Sequence, residues 1–248
     1  ADLFRKVKAH RLAVVALGRQ RGTMRATLVF VGLWMGCADI TPIEDGKRYG
    51  PVVTLQDWFT SCFLLESGDA VVLFDTCWRE GTLESGLESH GLKPEDVTHV
   101  LMTHGHADHA GGLGLVPQAT VMGRQPEQDN LTEHAGEEGK IDQPLEAGQI
   151  LPFGSHEVHV IAAPGHTPGT TIYWVDGVVI LGDAAIATGA GAIEPAPEDR
   201  SEDPEAAETV LKGLAARLEA LELRVDWLVP AHSGGIEGLA PLRAFAQP

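Results

Sequence analysis

"THGHADHAGG", residues 103–112, places three imidazoles and a carboxylate, His104, His106, Asp108 and His109, in a frame of Gly and Ala. His104 and His106 are two apart, the separation that sets side chains on the same side of an extended segment. Asp108 and His109 follow round a turn that the small residues Gly105, Ala107, Ala110, Gly111 and Gly112 keep open. Burying such a set without a cation carries a heavy desolvation cost. Four ligands from so short a loop do not easily wrap one tetrahedral ion, so two ions sharing the loop is the simpler geometry.

The flanking pattern supplies the frame. "THVLMT" (98–103) reads as a buried strand that delivers the loop at its C-terminal end. Upstream, "VVTLQDWF" (52–59), "CFLLES" (62–67) and "AVVLFDT" (70–76) read as successive antiparallel strands, followed by a short helix over 80–91 that closes on Gly91 ahead of Pro94. Downstream, "GGLGLVP" suggests a short helix and "ATVMG" a strand, whereas residues 124–150 are polar and weakly periodic and read as an extended loop, either covering a site or simply solvated. Strands resume in "HEVHVIAA", "TTIYWV" and "GVVILG", with Asp176-Gly177 as a hairpin turn. A helix is expected over 204–221, with Asp203 as N-cap, Pro204 at the first position and an apolar face of Val210, Leu211, Leu214, Leu218 and Leu221. A buried strand "VDWLVP" and a short helix close the chain.

Two ions need further ligands. His166 in "APGHTPG", Asp183 in "ILGDAA" and His232 in "VPAHSGG" each end an apolar run among small residues. His10, His90, His99, His134, His156 and His159 lack that setting, and structural or surface roles are expected for them.

This motif series, with "LFDTC" upstream, resembles the metallo-β-lactamase-fold hydrolase superfamily over roughly residues 50–245. The resemblance implies an α/β fold, a four-layer αββα sandwich with the metal site at one edge between the sheets. It further implies that His104, His106 and His166 hold one metal, that Asp108, His109 and His232 hold the other, and that Asp183 bridges both. Asp75 matches the family's Asp-Thr-Gly strand end, which supports the site from behind, although Cys77 stands where the family has Gly. Two divalent ions are expected, Zn²⁺ before Fe or Mn, since the donors are nitrogen and oxygen. Asp108 is the expected catalytic residue, orienting the attacking water and relaying its proton.

Within the superfamily the motifs look closest to the lactonase and glyoxalase II branches. A true β-lactamase is disfavoured, because those enzymes usually lack an Asp matching Asp183. The tyrosine that many lactonases place after the bridging Asp is missing; Tyr173 is either a substitute from a neighbouring strand or a sheet residue. No Lys or Arg lies between Lys140 and Arg200, which weakens glutathione thioesters and RNA as substrates. "THGHADHAGGLGLVP" is also similar to a metazoan branch linked to RNA cleavage. Residues 38–248, however, carry 11 Lys/Arg against 34 Asp/Glu, a balance that repels a phosphate backbone, so no nucleic-acid partner is expected. A neutral or weakly charged ester, lactone or thioester is the expected substrate. The alternatives are a mononuclear non-haem iron oxygenase using His104, His166 and Asp183, a phosphodiester hydrolase, and a non-catalytic metal-binding scaffold.

Residues 1–40 read as an export segment: seven Lys/Arg against one acid up to residue 37, an apolar run "ATLVFVGLWMG", then Cys37. From Met24 onward it resembles a bacterial lipoprotein signal, with Cys37 as the acylated residue and the only membrane anchor. Export to the periplasm or lipid anchoring is expected, the alternative being an N-terminal extension or ordinary first helix on a cytoplasmic protein, and residues 41–248 are expected to form the hydrolase domain. Cys62 and Cys77 are expected as buried free thiols, because an approximate hairpin register sets them out of line.

Overall fold

The computed structural model describes residues 40–247. The expected export segment, Cys37 included, lies outside them except for its final residue. Strand β1 (Arg48–Tyr49), β2 (Val52–Asp57), β3 (Thr60–Ser67) and β4 (Ala70–Phe74) form an antiparallel run. The chain then crosses over through helix α1 (Glu80–Ser89) to β5 (His99–Leu101), which lies parallel to β4, and β6 (Thr120–Gly123) and β7 (Gln143–Pro144) continue in parallel. Between β5 and β6 the ligand loop carries the single turn α2 (Ala107–Ala110). A second sheet begins with the antiparallel β8 (Ile150–Phe153), β9 (His156–Ala162), β10 (Thr171–Val175) and β11 (Val178–Gly182). Helix α3 (Gln128–Ala135) lies between β6 and β7, and after β11 comes a small ribbon of β12 (Ile186–Ala187) with β13 (Ile193–Glu194). Helix α4 (Pro204–Ala220) leads to β14 (Trp227–Pro230), parallel to β11, and β15 (Ile236–Glu237) and helix α5 (Ala240–Phe245) end the fold.

Period-two patterning explains why two sheets stack and both are covered outside. In β3, Phe63 and Leu65 point into a core shared with Val158, Val160 and Tyr173 of the second sheet. The alternating Cys62 and Leu64 point the other way, against Leu83 and Leu87 of α1 and Leu131 of α3. In β11, Val178 and Ile180 join the central core while Val179 and Leu181 pack on Leu211, Leu214 and Leu218 of α4. The result is the expected αββα order. Truncating a side chain such as Leu64 to Ala in this packing costs about 2–5 kcal/mol. No helix among the described residues is long and apolar enough to cross a membrane.

Three expectations change. Residues 124–150 are not an extended loop, since they hold a 3₁₀ turn (Gln125–Glu127), α3 and a second 3₁₀ turn (Gly136–Gly139), anchored by the fully buried Leu131. Leu221 is exposed, because α4 stops at Ala220 before that position can turn inward. Cys62 and Cys77 form a disulfide, with Cα atoms 5.0 Å apart. The pairing is invisible to hairpin register, in which Phe63 faces Phe74. Cys77 lies beyond β4, where left-handed backbone at Asp75 (φ 59°) and Cys77 (φ 59°) turns the chain back over Cys62. Glycine adopts that conformation freely, which accounts for the family's Gly at this position.

Candidate metal centre

Every residue of the expected ligand set sits where a strand of one sheet or the other ends. His104 and His106 follow β5, Asp108 and His109 ride on α2, His166 occupies the β9–β10 connection, and Asp183 and His232 follow β11 and β14. The structure brings all seven together. His104 Nε2 is 3.1 Å from His106 Nδ1, and His166 Nε2 is 3.0 Å from the same atom. Asp108, His109 and His232 form a second group whose ligand atoms lie within 4.8 Å of one another. Asp183 lies between the groups: its Oδ2 is 3.4 Å from His166 Nε2 and 3.0 Å from His232 Nε2, and its Oδ1 is 3.2 Å from His109 Nε2.

The surrounding hydrogen bonds fix which nitrogen faces inward on three of the rings. Asp75, wholly buried, accepts from Thr103 N at 2.7 Å through Oδ1, and from Thr103 Oγ1 at 2.6 Å and His109 Nδ1 at 2.8 Å through Oδ2. With its single proton committed to Asp75, the Thr103 hydroxyl accepts from His104 Nδ1, 3.1 Å away. His232 Nδ1 donates to the Phe59 carbonyl at 2.9 Å. On His104, and on His109 and His232 in their neutral form, the site-facing Nε2 is therefore the lone-pair nitrogen, the arrangement that outer partners impose on metal-binding imidazoles. Asp75 supports the site from behind, as expected, and Cys77 does not disturb that role.

The donor set fits divalent cations. His109 Nε2 and Asp183 Oδ1, both facing the cluster, are buried and have no hydrogen-bond partner among the described residues, a costly condition for polar atoms. Burial drives His104 well below the usual histidine range, lowers His106, and takes His166 down to about 4, leaving neutral imidazoles. Burial also opposes charge on His109 and His232, but carboxylates outweigh it. Asp183 and Asp75 hold His109 well above the usual range, and Asp183 with Asp108 raises His232 to about 10. Burial pushes Asp183 upward, yet His232 and His109 hold it well below the carboxylate range. One group offers lone pairs and the other attracts positive charge.

Several neighbours carry no motif. Glu127, fully buried, reaches both ligand loops. His134, expected to be a surface residue, is exposed but sets its ring 5.8 Å from that of His106. Phe59 stacks on His232 with ring centroids 5.6 Å apart, and Trp58 and Trp78 stack on each other at 5.8 Å beside it. Their exposure is the signal that sequence alone hides, since Trp58 and Phe59 end an apparently ordinary apolar strand. Tyr173 is a sheet residue: it is fully buried and its hydroxyl donates to Met102 O at 2.7 Å. His99, His156 and His159 pair with Phe153, Asp176 and Trp174, outside the ligand cluster.

The sequence profile of the Metallo-beta-lactamase superfamily matches residues 55–232. The chain is 35% identical over 178 residues to the Metallo-beta-lactamase domain-containing protein 1 of Xenopus laevis, covering 68% of each chain. It is 31% identical over 151 residues to a hydroxyacylglutathione hydrolase of Anaeromyxobacter dehalogenans, covering 60% of this chain and 52% of that one. Among solved structures, a metallo-β-lactamase from Pontibacter korlensis superposes with a TM-score of 0.66 at 16% identity, over 85% of this chain and 97% of the other. BJP-1 of Bradyrhizobium japonicum, a subclass B3 metallo-β-lactamase, gives 0.59 at 18% identity over 78% and 79%. At that identity the structural likeness speaks for the fold, while the profile and the Xenopus relative speak for descent. The chain belongs to the metallo-β-lactamase superfamily, with the two-sheet fold and the His/Asp centre of a metal-dependent hydrolase.

Proposed function

We propose that the domain is a dinuclear metal-dependent hydrolase of neutral or weakly charged esters, lactones or thioesters. The observation that carries this reading is the position of Asp183, whose two oxygens face imidazoles of both groups. His104, His106 and His166 would hold one divalent ion, Asp108, His109 and His232 the other, with Asp183 shared and Zn²⁺ the metal favoured by these donors. Bound there, two such ions supply Lewis acidity and a water acidified to near neutrality.

The chain's own groups do the rest. Asp108 Oδ2 lies 3.3 Å from His232 Nε2 on the more open side, where its carboxylate orients the attacking water, takes its proton and passes it to the leaving group. Asp75 keeps His109 and the Thr103–His104 pair in their site-facing tautomers. The exposed rings of Trp58, Phe59 and Trp78 beside His232 offer an apolar wall for the substrate's hydrocarbon portion. Arg79, next to Trp78, pairs its guanidinium with the buried carboxylate of Asp57. Acidity of the chain argues against nucleic acid. We further propose export, through the segment ending at Cys37; the Cys62–Cys77 disulfide supports an oxidising compartment.

Metal analysis of the purified protein, combined with a hydrolysis screen of lactones, thioesters, β-lactams and phosphodiesters, tests this reading. Two zinc ions per chain with turnover of uncharged esters or lactones is the expected result. One iron per chain with oxygen uptake would overturn it.

A further inference from the structure

Glu127 is a fully buried carboxylate with no cationic partner within 4 Å among the described residues. An ionised group is retained in such a place only if hydrogen bonds replace its water. Its two oxygens divide the task. Oε2 accepts from Gly105 N at 2.8 Å, between His104 and His106, with Asn130 Nδ2 at 3.5 Å. Oε1 accepts from Thr167 Oγ1 and Gly169 N, each at 2.6 Å, directly after His166. One rigid group thus spans two ligand segments about 60 residues apart in the chain.

The glycines of both motifs are cut to the same contact. A Cβ at Gly169 would lie 2.7 Å from Glu127 Cγ, and one at Gly105 would lie 2.7 Å from Leu131 N in the helix that Glu127 leads into. Neither motif can accept a larger residue while this segment is in place. His109 and His232 are held otherwise, by Asp75 and by the Phe59 carbonyl.

We infer that Glu127 is a positioning residue for one half of the centre alone: it sets the distance between the His104–His106 loop and the His166 turn, and with it the affinity of that half for metal. The inference rests on the metal reading of the site. It is separable from that reading by working in two backgrounds, His232→Ala, which leaves the histidine half, and His166→Ala, which leaves the half containing Asp108.

Zinc affinity is measured by chelator competition on the metal-stripped protein. In the His232→Ala background, Glu127→Gln should weaken zinc about 10–100-fold, the usual range for an outer partner of a ligand. An amide cannot accept from both loops, so one backbone N–H loses its partner. In the His166→Ala background the same change should leave affinity within about twofold. Thr167→Val should reproduce part of the loss and Thr167→Ser should restore it; this pair carries the test if Glu127→Gln does not fold. Equal losses in both backgrounds, or none in the first, would overturn the inference while the metal reading stands. Failure of the His232→Ala parent itself to bind zinc would overturn both.

Discussion

The two halves of the centre are built from similar side chains but placed in different surroundings. His104 and His166 are almost wholly enclosed, whereas the side chains of Asp108 and His232 keep 22% and 24% of their exposure. The enclosed half is tied across two loops by Glu127 and consists of neutral imidazoles. The open half is edged by aromatic rings and draws on carboxylates. The contrast is one of edge against interior: His104, His166 and His109 are buried, while Asp108 and His232 form the accessible edge at which the proposed reaction would admit its substrate.

Removing the group common to both should do the most damage. Asp183→Ala should bring bound metal below one ion per chain and hydrolysis to background, checked by metal analysis and initial rates; retention of one firmly held ion with activity would show that the halves do not depend on a shared carboxylate. Asp108→Asn should retain much of the bound metal and lower kcat about 10²–10⁴-fold, the span of a lost general base. A matching loss of metal would reduce Asp108 to a ligand. Asp75→Ala should weaken zinc about 10–100-fold in both halves, because Asp75 reaches His109 directly and His104 through Thr103. This differs from Glu127, whose effect is confined to one. Trp58→Ala or Trp78→Ala should act only at the open edge, raising KM for apolar substrates by roughly tenfold, about 1–2 kcal/mol, with kcat little changed. An equal rise for a small acetate ester would exclude a hydrocarbon-binding role.

Much of this was legible before any coordinates. The seven expected ligand positions stand out because each combines a metal-capable side chain, an apolar strand and small neighbours, a coincidence that local sequence displays. The Asp203 cap, confirmed by its bond to Ala206 N at 3.0 Å, and the Asp176-Gly177 turn are equally local. Glu127 was hidden because its meaning lies in donors at residues 105, 167 and 169, while its own stretch looks like any polar loop. The disulfide was hidden because it depends on two left-handed residues beyond a strand end rather than on strand register. The aromatic wall needed the hairpin and the turn after β4 to be seen side by side.

The Cys62–Cys77 bond has one more consequence, for how the protein is made and handled. It closes a 15-residue separation, and a cross-link of that span removes unfolded-chain entropy equivalent to about 3 kcal/mol. A preparation folded in a reducing cytosol, or kept in dithiothreitol, begins without that margin, and a dithiol also competes for zinc. Because the same bond joins the strand after Phe59 to the turn before Trp78, specific activity should depend on the thiol history of the sample, and batches are comparable only when their free-thiol content has been measured.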